Sequence, residues 1–332
     1  MANGVNASPG LSFPRETFQK LTPGPFLHAH LKRPSPIRPN GRLPEQQRTP
    51  TVNAGSLTHS NGSAVVRCGD TAIVCGIRAE ILLASDLPYP PSEDLDDDDL
   101  IEHLGLLVPN VELSTGCSPA HLPGNPPGTL AQSLTYRILA LLHSSNIIDP
   151  SDLKITHLEA QTDEDLPDVG PRQVKKAYWT LYIDILAIAL DGNAFDTAWM
   201  AVMAAFRDTI LPKAYWDQDR EMVLCSPRLA EAARLKLRDI PVASTFSIFS
   251  TASPLKRKDQ AESWILADPD ALEEENSKEA LTVVLVSKHS AGGNMLRVEK
   301  SGGAVLDKVF TATCVRLAEA RCRELSTMLE AV

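Results

Sequence analysis

The chain has 332 residues, and its 42 acidic side chains outnumber its 32 lysines and arginines, giving a formal net charge of −10. This balance excludes a protein that holds nucleic acid through overall positive charge, although a local basic groove remains compatible with it. Apolar residues make up 43% of the chain, which is enough for a packed core. The length allows two domains or one large α/β domain.

The sequence has no feature of a membrane, disulfide or metal protein. No apolar run reaches the roughly 18 to 20 residues of a membrane span, and the first ten residues have no signal-peptide core. The six cysteines are scattered, which predicts reduced thiols in a cytosolic or nuclear protein. His28 and His30 are the closest histidine pair, but no further ligand stands at metal-site spacing, so we expect no metal and no other cofactor.

The N-terminal part of the chain is rich in proline. Residues 1–12 are expected to be disordered, and residues 13–31 have a short helical pattern that Pro23 and Pro25 interrupt. Five prolines between residues 32 and 50 favour an extended backbone over a packed element. This segment is therefore predicted to be an extended arm that wraps something.

A β-hairpin and an acidic segment follow the arm. The β-rich runs 63–68 and 71–79 are separated by Gly69-Asp70, a two-residue turn of the kind that hairpins prefer. The acidic run 92–99 could bind a cation or a basic peptide. It lacks the D-x-D-x-D-G pattern of a calcium loop, so a solvated loop is favoured.

The remaining chain alternates strand and helix patterns. A helix is predicted over 129–144, and a second helix after the turn Asp191-Gly192-Asn193, whose apolar stripe is typical of a core helix. A last amphipathic helix runs from the Ser301-Gly-Gly303 turn to about residue 330. Strands are predicted at 108–113, a strand pair at 179–190, and strands at 243–249, 264–267 and 281–287. This order predicts an α/β fold of the α+β layered kind, with an extended N-terminal arm.

General catalytic motifs are absent from this sequence. It contains no G-x-S-x-G nucleophile turn, no G-x-x-x-x-G-K-[ST] phosphate loop, and no G-x-G-x-x-G after a strand. Composition and pattern therefore indicate only an intracellular α/β protein with a proline-rich arm.

A set of short motifs lies in order along the chain. The motifs are Arg38-Pro-Asn-Gly-Arg42, Arg48, Thr51–Ser56, Asn61–Gly76, Tyr182–Ile185, Asp191–Ala198, Pro241–Phe246, Asp268-Pro-Asp270, Glu273-Glu-Glu275 and Lys300–Gly303. Each motif is weak alone, but their order and spacing are specific and resemble the RNase PH family over roughly residues 35–325. The resemblance implies an RNase PH-like single domain over 35–330, with mixed sheets packed on helices. It also implies an N-terminal extension over 1–34 and surface insertions near 85–102, 161–176 and 253–262.

The N-terminal extension and the segment Pro123–Gly128 are similar to subunits of the eukaryotic RNA exosome that lack catalysis. This resemblance implies a hetero-hexameric ring of RNase PH-like chains, with RNA-binding cap subunits and associated hydrolytic exoribonucleases as further partners. Single-stranded RNA would pass through the ring for 3'-5' processing and degradation, including rRNA processing. The implied location is the nucleus, nucleolus and cytoplasm.

The residues that phosphorolysis requires are incomplete in this sequence. Phosphorolysis needs arginine and hydroxyl groups to hold phosphate, and carboxylates to bind a metal or act as an acid. The stretch that corresponds to the family's phosphate loop, Thr115–His121, has no arginine. The acidic loop keeps Glu273–Glu275, but the family's second aspartate falls near Ala280, and Glu279 would point to the opposite face. We therefore predict no catalytic residues and a structural role.

Two alternatives remain open at this stage. The chain could be half of a shared phosphorolytic exoribonuclease site, to which it would supply basic side chains. An interaction protein unrelated to RNA could also share the fold. The candidate RNA-binding residues are Arg38, Arg42 and Arg48 in the arm, Arg137 on the first long helix, and Lys175 and Lys176 in the second insertion.

Overall fold

A computed structural model of the chain describes residues 14–89, 91, 96–122, 124–159, 172–251, 262–286, 294–303 and 307–331. Two predictions concern residues outside these ranges. One is the disorder of residues 1–12, and the other covers most of the two insertions near 161–176 and 253–262. Among the described helices, none combines the length and apolar character that crossing a membrane requires. All six cysteines are free thiols in the structure.

Strands and helices alternate along the described chain. The strands are β1 (Thr51–Ala54), β2 (Gly62–Cys68), β3 (Thr71–Leu83), β4 (Leu107–Leu113), β5 (Lys154–Glu159), β6 (Arg172–Ala189), β7 (Ile210–Leu211), β8 (Ala214–Asp217), β9 (Met222–Cys225), β10 (Ala233–Arg234), β11 (Pro241–Ser250), β12 (Ser263–Ala267), β13 (Glu279–Val286) and β14 (Asn294–Ser301). The helices are α1 (Arg15–Leu21), α2 (Pro23–Leu31), α3 (Asp97–Leu104), α4 (Thr129–Ser145), α5 (Pro150–Leu153), α6 (Ala194–Asp208), α7 (Ala271–Asn276) and α8 (Lys308–Glu330), with 3-10 turns at Ala84–Asp86 and Leu229–Glu231.

The first sheet is built on the hairpin β2–β3 and the long strand β6. Its order is β1-β2-β3-β6-β4, and β5 pairs with the beginning of β6. Strand β4 runs parallel to β6, whereas the other pairings are antiparallel. The predicted hairpin is confirmed, and Gly69 stands in its turn at φ +63°.

The second sheet has the order β12-β11-β13-β14 and is antiparallel throughout. Helix α6 packs against β2 and β3 of the first sheet and against β11 of the second, so it lies between the sheets. Helix α8 covers β11 and β13. This layered arrangement of mixed sheets and helices confirms the predicted fold class.

Helix α6 is the centre of the hydrophobic core. Its predicted apolar stripe is buried, and Trp199 also donates a hydrogen bond from Nε1 to the Pro241 carbonyl at 2.8 Å. Because Trp199 is fully buried, this bond satisfies its polar atom while its ring fills the core.

Two sequence predictions about local structure are wrong. Residues 179–190 form no strand pair, because β6 continues unbroken from Arg172 to Ala189, with β3 along one side and β4 and β5 along the other. The acidic run does not stay a loop to its end, since Asp96 accepts a hydrogen bond from the Asp98 amide and begins α3. A carboxylate at this position stabilises the first turn of a helix.

Gly62 lies where α6 crosses β2 and has no room for a side chain. A Cβ atom there would stand 2.5 Å from the Ala205 carbonyl oxygen and 2.6 Å from the Thr209 Cα. Both contacts are backbone, so the helix would have to move. We expect Gly62→Ala to lower the free energy of unfolding by about 1 to 3 kcal/mol in urea denaturation.

The control for this prediction is Gly303→Ala, because a Cβ atom at Gly303 meets nothing within 4 Å. This variant should stay within about 0.5 kcal/mol of the parent chain. Equal losses of stability in both variants would contradict the close packing of α6 on β2.

Candidate functional site: an arginine and carboxylate cluster

The N-terminal arm folds back onto the loop between β12 and α7, where three of its arginines meet two acidic side chains. We call Arg38, Arg42, Arg48, Asp268 and Glu273 the arm cluster. The backbone also joins the two segments, because the Ala267 amide donates to the Pro44 carbonyl at 2.9 Å. The predicted arm therefore wraps around another part of its own chain.

Asp268 is the acceptor at the centre of the arm cluster. Its carboxylate accepts from Arg48 through Nε and Nη2, both at 2.8 Å, and from the Arg48 backbone amide at 2.8 Å. The Asn193 side-chain amide donates to Oδ1 at 2.7 Å. Burial alone would raise the pKa of Asp268, but the hydrogen bonds and charge of Arg48 hold that pKa below its ordinary value.

Arg38 and Glu273 form a second pair, and both side chains are fully buried. Arg38 Nη1 lies 3.3 Å from Glu273 Oε2, and Nη2 donates to the carbonyls of Pro44 and Ala267. Desolvation lowers the pKa of Arg38 to about 10 in spite of Glu273. Desolvation likewise raises the pKa of Glu273, which also completes a capping box with Asp270 at the start of α7.

Arg42 closes the cluster from its outer side. Its Nη1 donates to the Asp268 carbonyl at 2.9 Å, and its Nη2 lies 3.9 Å from Glu273 Oε2. Its side chain is only 13% exposed, compared with 10% for Arg48. The three predicted RNA-binding residues of the arm are therefore brought together, but they point into the protein and bind its own acceptors.

The N-terminus of α6 adjoins the arm cluster and carries further carboxylates. Asn193 has φ +48°, and its backbone amide donates to Glu274 Oε1 at 2.8 Å. Its side-chain amide donates to Asp196 at 2.9 Å as well as to Asp268. Desolvation raises the pKa of Glu274 to about 7, although part of this side chain reaches solvent. A helix N-terminus is a common anion site, and here the anions come from the chain itself.

Arg137 lies on α4, away from the arm cluster. Its Nε donates to Glu299 Oε2 at 2.6 Å, and its Nη2 donates to Thr282 Oγ1 at 3.1 Å. Its guanidinium also stacks 3.8 Å from the centroid of the Phe195 ring. These contacts tie α4 and the start of α6 to the second sheet, so the residue has a structural role that its sequence position did not indicate.

Lys175 and Lys176 lie near the start of the long strand β6, where it pairs with β5. Lys176 Nζ lies 2.5 Å from Glu159 Oε1 and 5.2 Å from the centroid of the Trp216 ring. Lys175 is exposed and pairs in register with Thr156 of β5. Strand pairing thus fixes this end of the predicted second insertion. Whether any of the six basic residues binds RNA stays a prediction.

The segment compared with a phosphate loop, Thr115–His121, lies at the end of β6 beside a hollow of about 530 Å³. A Cβ atom on Gly116 would come within 2.2 Å of the Ile188 carbonyl, and Cys117 Sγ donates to the Ala187 carbonyl at 3.2 Å. Among the described residues that line the hollow there is no lysine or arginine. The loop is therefore packed tightly on β6 without the cationic side chains that bind phosphate.

Glu279 and Ala280 are consecutive residues of β13, so their side chains point to opposite faces of the second sheet.

Sequence patterns did not identify Asn193 and Arg321 as parts of the site. Arg321, on α8, donates to the Arg48 carbonyl at 2.7 Å and thereby joins the C-terminal helix to the arm. The turn Asp191-Gly192-Asn193 was the available signal for Asn193, whereas no local pattern marks Arg321.

Comparisons with known proteins agree with this architecture. Residues 46–212 match a family described as RNase_PH, the 3' exoribonuclease family, domain 1. The chain is 33% identical over 312 residues to the exosome complex component rrp43 of Schizosaccharomyces pombe, covering 94% of this chain and 96% of the relative. It is 26% identical over 294 residues to the exosome complex component Rrp42 of Methanopyrus kandleri, covering 89% of this chain and 91% of the relative.

Solved structures show the same fold. An Archaeoglobus fulgidus exosome chain, from a structure with RNA bound to the active site, superposes with a TM-score of 0.64 at 24% identity, covering 91% of this chain and 95% of its own. A chain of an archaeal exosome core gives a TM-score of 0.63 at 21% identity, covering 96% of this chain and 100% of its own. At these identities the superpositions establish the fold.

The arm cluster predicts a large and pH-dependent loss of stability in Asp268→Asn. This change removes the nearest counter-charge of the mostly buried Arg48 and leaves only Asp191, at 3.8 Å, so the free energy of unfolding should fall by about 3 kcal/mol in urea at pH 7. Because the folded pKa of Asp268 is below the unfolded value of about 3.9, its contribution is complete above about pH 4 and is lost as pH falls through the folded pKa. The difference between the variant and the parent chain should therefore narrow in acid.

Asp70→Asn is the matched control. Asp70 is 85% exposed and stands 3.7 Å from the exposed Arg67, so the variant should stay within about 0.5 kcal/mol of the parent. A constant difference between the Asp268→Asn variant and the parent down to pH 2 would contradict the ion pair as the source of stability.

Proposed function

Because the chain belongs to the RNase PH family, we propose that it is a core-ring subunit of an RNA exosome and has no phosphorolytic activity of its own. Exosome membership is supported by the match over 94% of the chain to a relative named as an exosome component. Family membership alone does not fix activity, because one fold supports both enzymes and scaffolds. The absence of activity is argued from the arm cluster.

The observation that carries the proposal is the inward orientation of the three arm arginines. Arg38, Arg42 and Arg48 donate to Asp268, Glu273 and backbone carbonyls, and none is more than 13% exposed. A phosphorolytic site needs cationic donors free to hold inorganic phosphate and the RNA backbone. Here those donors stabilise the fold of the same chain.

The electrostatics beside the arm cluster also oppose phosphate binding. Asp196, Asp268 and Glu274 surround the N-terminus of α6, and Glu274 accepts the hydrogen bond of the Asn193 amide. Phosphate at this helix end would replace an internal carboxylate and face the others across a partly desolvated site. The site therefore favours the folded chain over a bound anion.

The role that remains is architectural. Two sheets packed around α6 give a rigid body that can occupy one position in a ring and contribute a wall to its channel. We propose that single-stranded RNA passes this wall on its way to an associated hydrolytic exoribonuclease, with RNA-binding cap subunits at the entrance. Processing of rRNA and RNA turnover in the nucleus, nucleolus and cytoplasm would follow from such an assembly.

A shared phosphorolytic site is the competing hypothesis. It would require this chain to lend basic residues to a partner that supplies the acids. Lys175 is exposed on β6 and could make such a contact, whereas the arm arginines would first have to leave their own carboxylates. Their release would leave buried carboxylates without a counter-charge, which is unfavourable.

We expect a ring reconstituted with this chain to release no nucleoside diphosphates from single-stranded RNA at saturating phosphate. An archaeal ring with an active site, assayed in parallel, is the positive control for the substrate and the conditions. Phosphate-dependent release that is lost in the Lys175→Ala/Lys176→Ala double variant, with melting temperature unchanged, would support the shared site and contradict our proposal.

Ring membership is tested separately from activity. The tagged full-length chain should be recovered from cell extract together with several other RNase PH-like chains, as identified by mass spectrometry. Recovery of the chain as an isolated monomer would contradict a role in the ring.

A further inference from the structure

The arm turns back on itself at Asn40-Gly41, and this dipeptide is open to solvent. Both residues are exposed, and a Cβ atom on Gly41 would meet nothing within 4 Å. A glycine after asparagine leaves room for its backbone nitrogen to approach the asparagine Cγ, which is the first step in the loss of a side-chain amide. The function proposed above uses the arginines on either side of the dipeptide and gives the dipeptide itself no role.

Two hydrogen bonds hold the Asn40 side chain. Its Oδ1 accepts from the Arg42 amide at 3.0 Å, and its Nδ2 donates to Asp270 Oδ2 at 2.8 Å. An asparagine that accepts from the amide two residues further on folds its side chain back along its own backbone. The ring closed by this bond includes the Gly41 nitrogen, so Asn40 Cγ and the nitrogen that would attack it belong to one small ring.

The Gly41 amide is engaged by a bond of the same turn. It donates to the Arg38 carbonyl at 3.0 Å. A hydrogen bond in an exposed turn opens at a small cost in free energy, because water replaces the lost partner. The Gly41 nitrogen can therefore be released to react while the rest of the arm stays in place.

A second Asn-Gly dipeptide of the described chain, Asn61-Gly62, has the opposite surroundings. Asn61 Oδ1 accepts from the Ala79 amide at 2.9 Å, and Nδ2 donates to the Ile210 carbonyl at 3.2 Å. Gly62 is buried and pairs with Ile77 in the β2–β3 ladder. Because a reaction here would require β2 to open beneath α6, Asn61 is a reference within the same chain for a protected asparagine.

We propose that Asn40 is a modification site, at which spontaneous deamidation unfastens the arm from α7. Water is the only co-reactant, and no enzyme is required. The inference is independent of ring membership, because it rests on the contacts of Asn40 within its own chain.

The reaction has two steps. The Gly41 nitrogen loses its proton to solvent and bonds to Asn40 Cγ, while the bond between Cγ and Nδ2 breaks and ammonia leaves. Water then opens the resulting succinimide at either of its carbonyls. One opening gives an aspartate at position 40, and the other gives an isoaspartate, whose main chain runs through Cβ and Cγ. Both products carry a carboxylate in place of the neutral amide.

Either product opposes the contact that fastens the arm. The Nδ2 donor is gone, and a new carboxylate faces the buried carboxylate of Asp270 in surroundings that screen charge poorly. Asp270 shares the capping box of α7 with Glu273, the partner of Arg38. The isoaspartate also lengthens the main chain inside the turn that the Arg38 amide closes on the Arg42 carbonyl at 2.8 Å. Loss of one amide thus acts on the arm cluster directly.

The first test follows deamidation in the full-length parent chain. The protein is aged at neutral pH and physiological temperature, digested in mild acid, and analysed by peptide mass spectrometry. Asn40 should be converted at least about tenfold faster than Asn61, because only Asn61 is held in a strand. A synthetic peptide of residues 36–46 gives the rate of the free dipeptide. Conversion of the peptide without faster conversion at Asn40 than at Asn61 would overturn the proposal.

The second test measures release of the arm with Asn40→Asp, which carries the charge of the product. Limited cleavage by trypsin after Arg42, only 13% exposed in the parent, should rise at least about fivefold. Asn40→Ser, which keeps a hydroxyl donor for Asp270 and has no amide to lose, should resemble the parent.

The reference for this test is cleavage after Arg220, which is 68% exposed in the turn between β8 and β9 and should be unchanged. Unchanged cleavage after Arg42 would overturn release of the arm, and so would an equal rise at both sites, which would indicate general unfolding. Neither result bears on ring membership, which is judged by co-purification.

Discussion

The rest of this structure depends on the paired hydrogen bonds between Arg48 and Asp268. Asp268 follows the last residue of β12 and has a left-handed backbone conformation. Its carboxylate accepts hydrogen bonds from the side chain and backbone of Arg48 and from the side chain of Asn193. Arg48 in turn offers its carbonyl to Arg321 of α8. One carboxylate therefore fixes the arm, the start of the central helix and, through Arg48, the C-terminal helix. Two buried charges are held in one geometry, and each would be costly to leave alone.

This constraint explains how a chain with an excess of acids can have a stable interior. The carboxylates of the β12–α7 loop accept hydrogen bonds from arginines, backbone amides and an asparagine, and these bonds hold the arm and α6 in place. An active site must keep its charges unsatisfied until the substrate arrives, and this usually lowers stability. The arm cluster instead has its arginines and carboxylates paired with each other, as the proposed structural role requires. The proposed absence of phosphorolysis and the rigidity of the fold thus have one physical cause.

Sequence patterns predicted the elements whose signals are local. The β2–β3 hairpin follows from its Gly69-Asp70 turn, and α6 follows from its apolar stripe, since neighbours in sequence determine both. The carboxylate acceptors of Arg38 and Arg48 could not be predicted, because they lie 220 or more residues further along the chain. RNA binding by the arm arginines stays a prediction. Strand β14 was missed because its exposed residues lack the alternation of a half-buried strand, and residues 179–190 were predicted as a strand pair although β6 is a single strand. Local pattern reveals turns and core stripes, whereas ion pairs between distant segments emerge only from the fold.

The distance along the chain between Arg48 and Asp268 also sets an order of events during synthesis. Arg48 of the arm is synthesised before its acceptor Asp268, which is 220 residues further along the chain. At a translation rate of about 5 to 20 residues per second, the arm waits roughly 10 to 45 s before Asp268 is polymerised. During this interval three arginines that are later buried remain in contact with water and the surroundings of the ribosome. The arm is therefore synthesised well before the loop that holds it and is fastened only after that loop is made, and any chain that ends before β12 lacks the means to hold it.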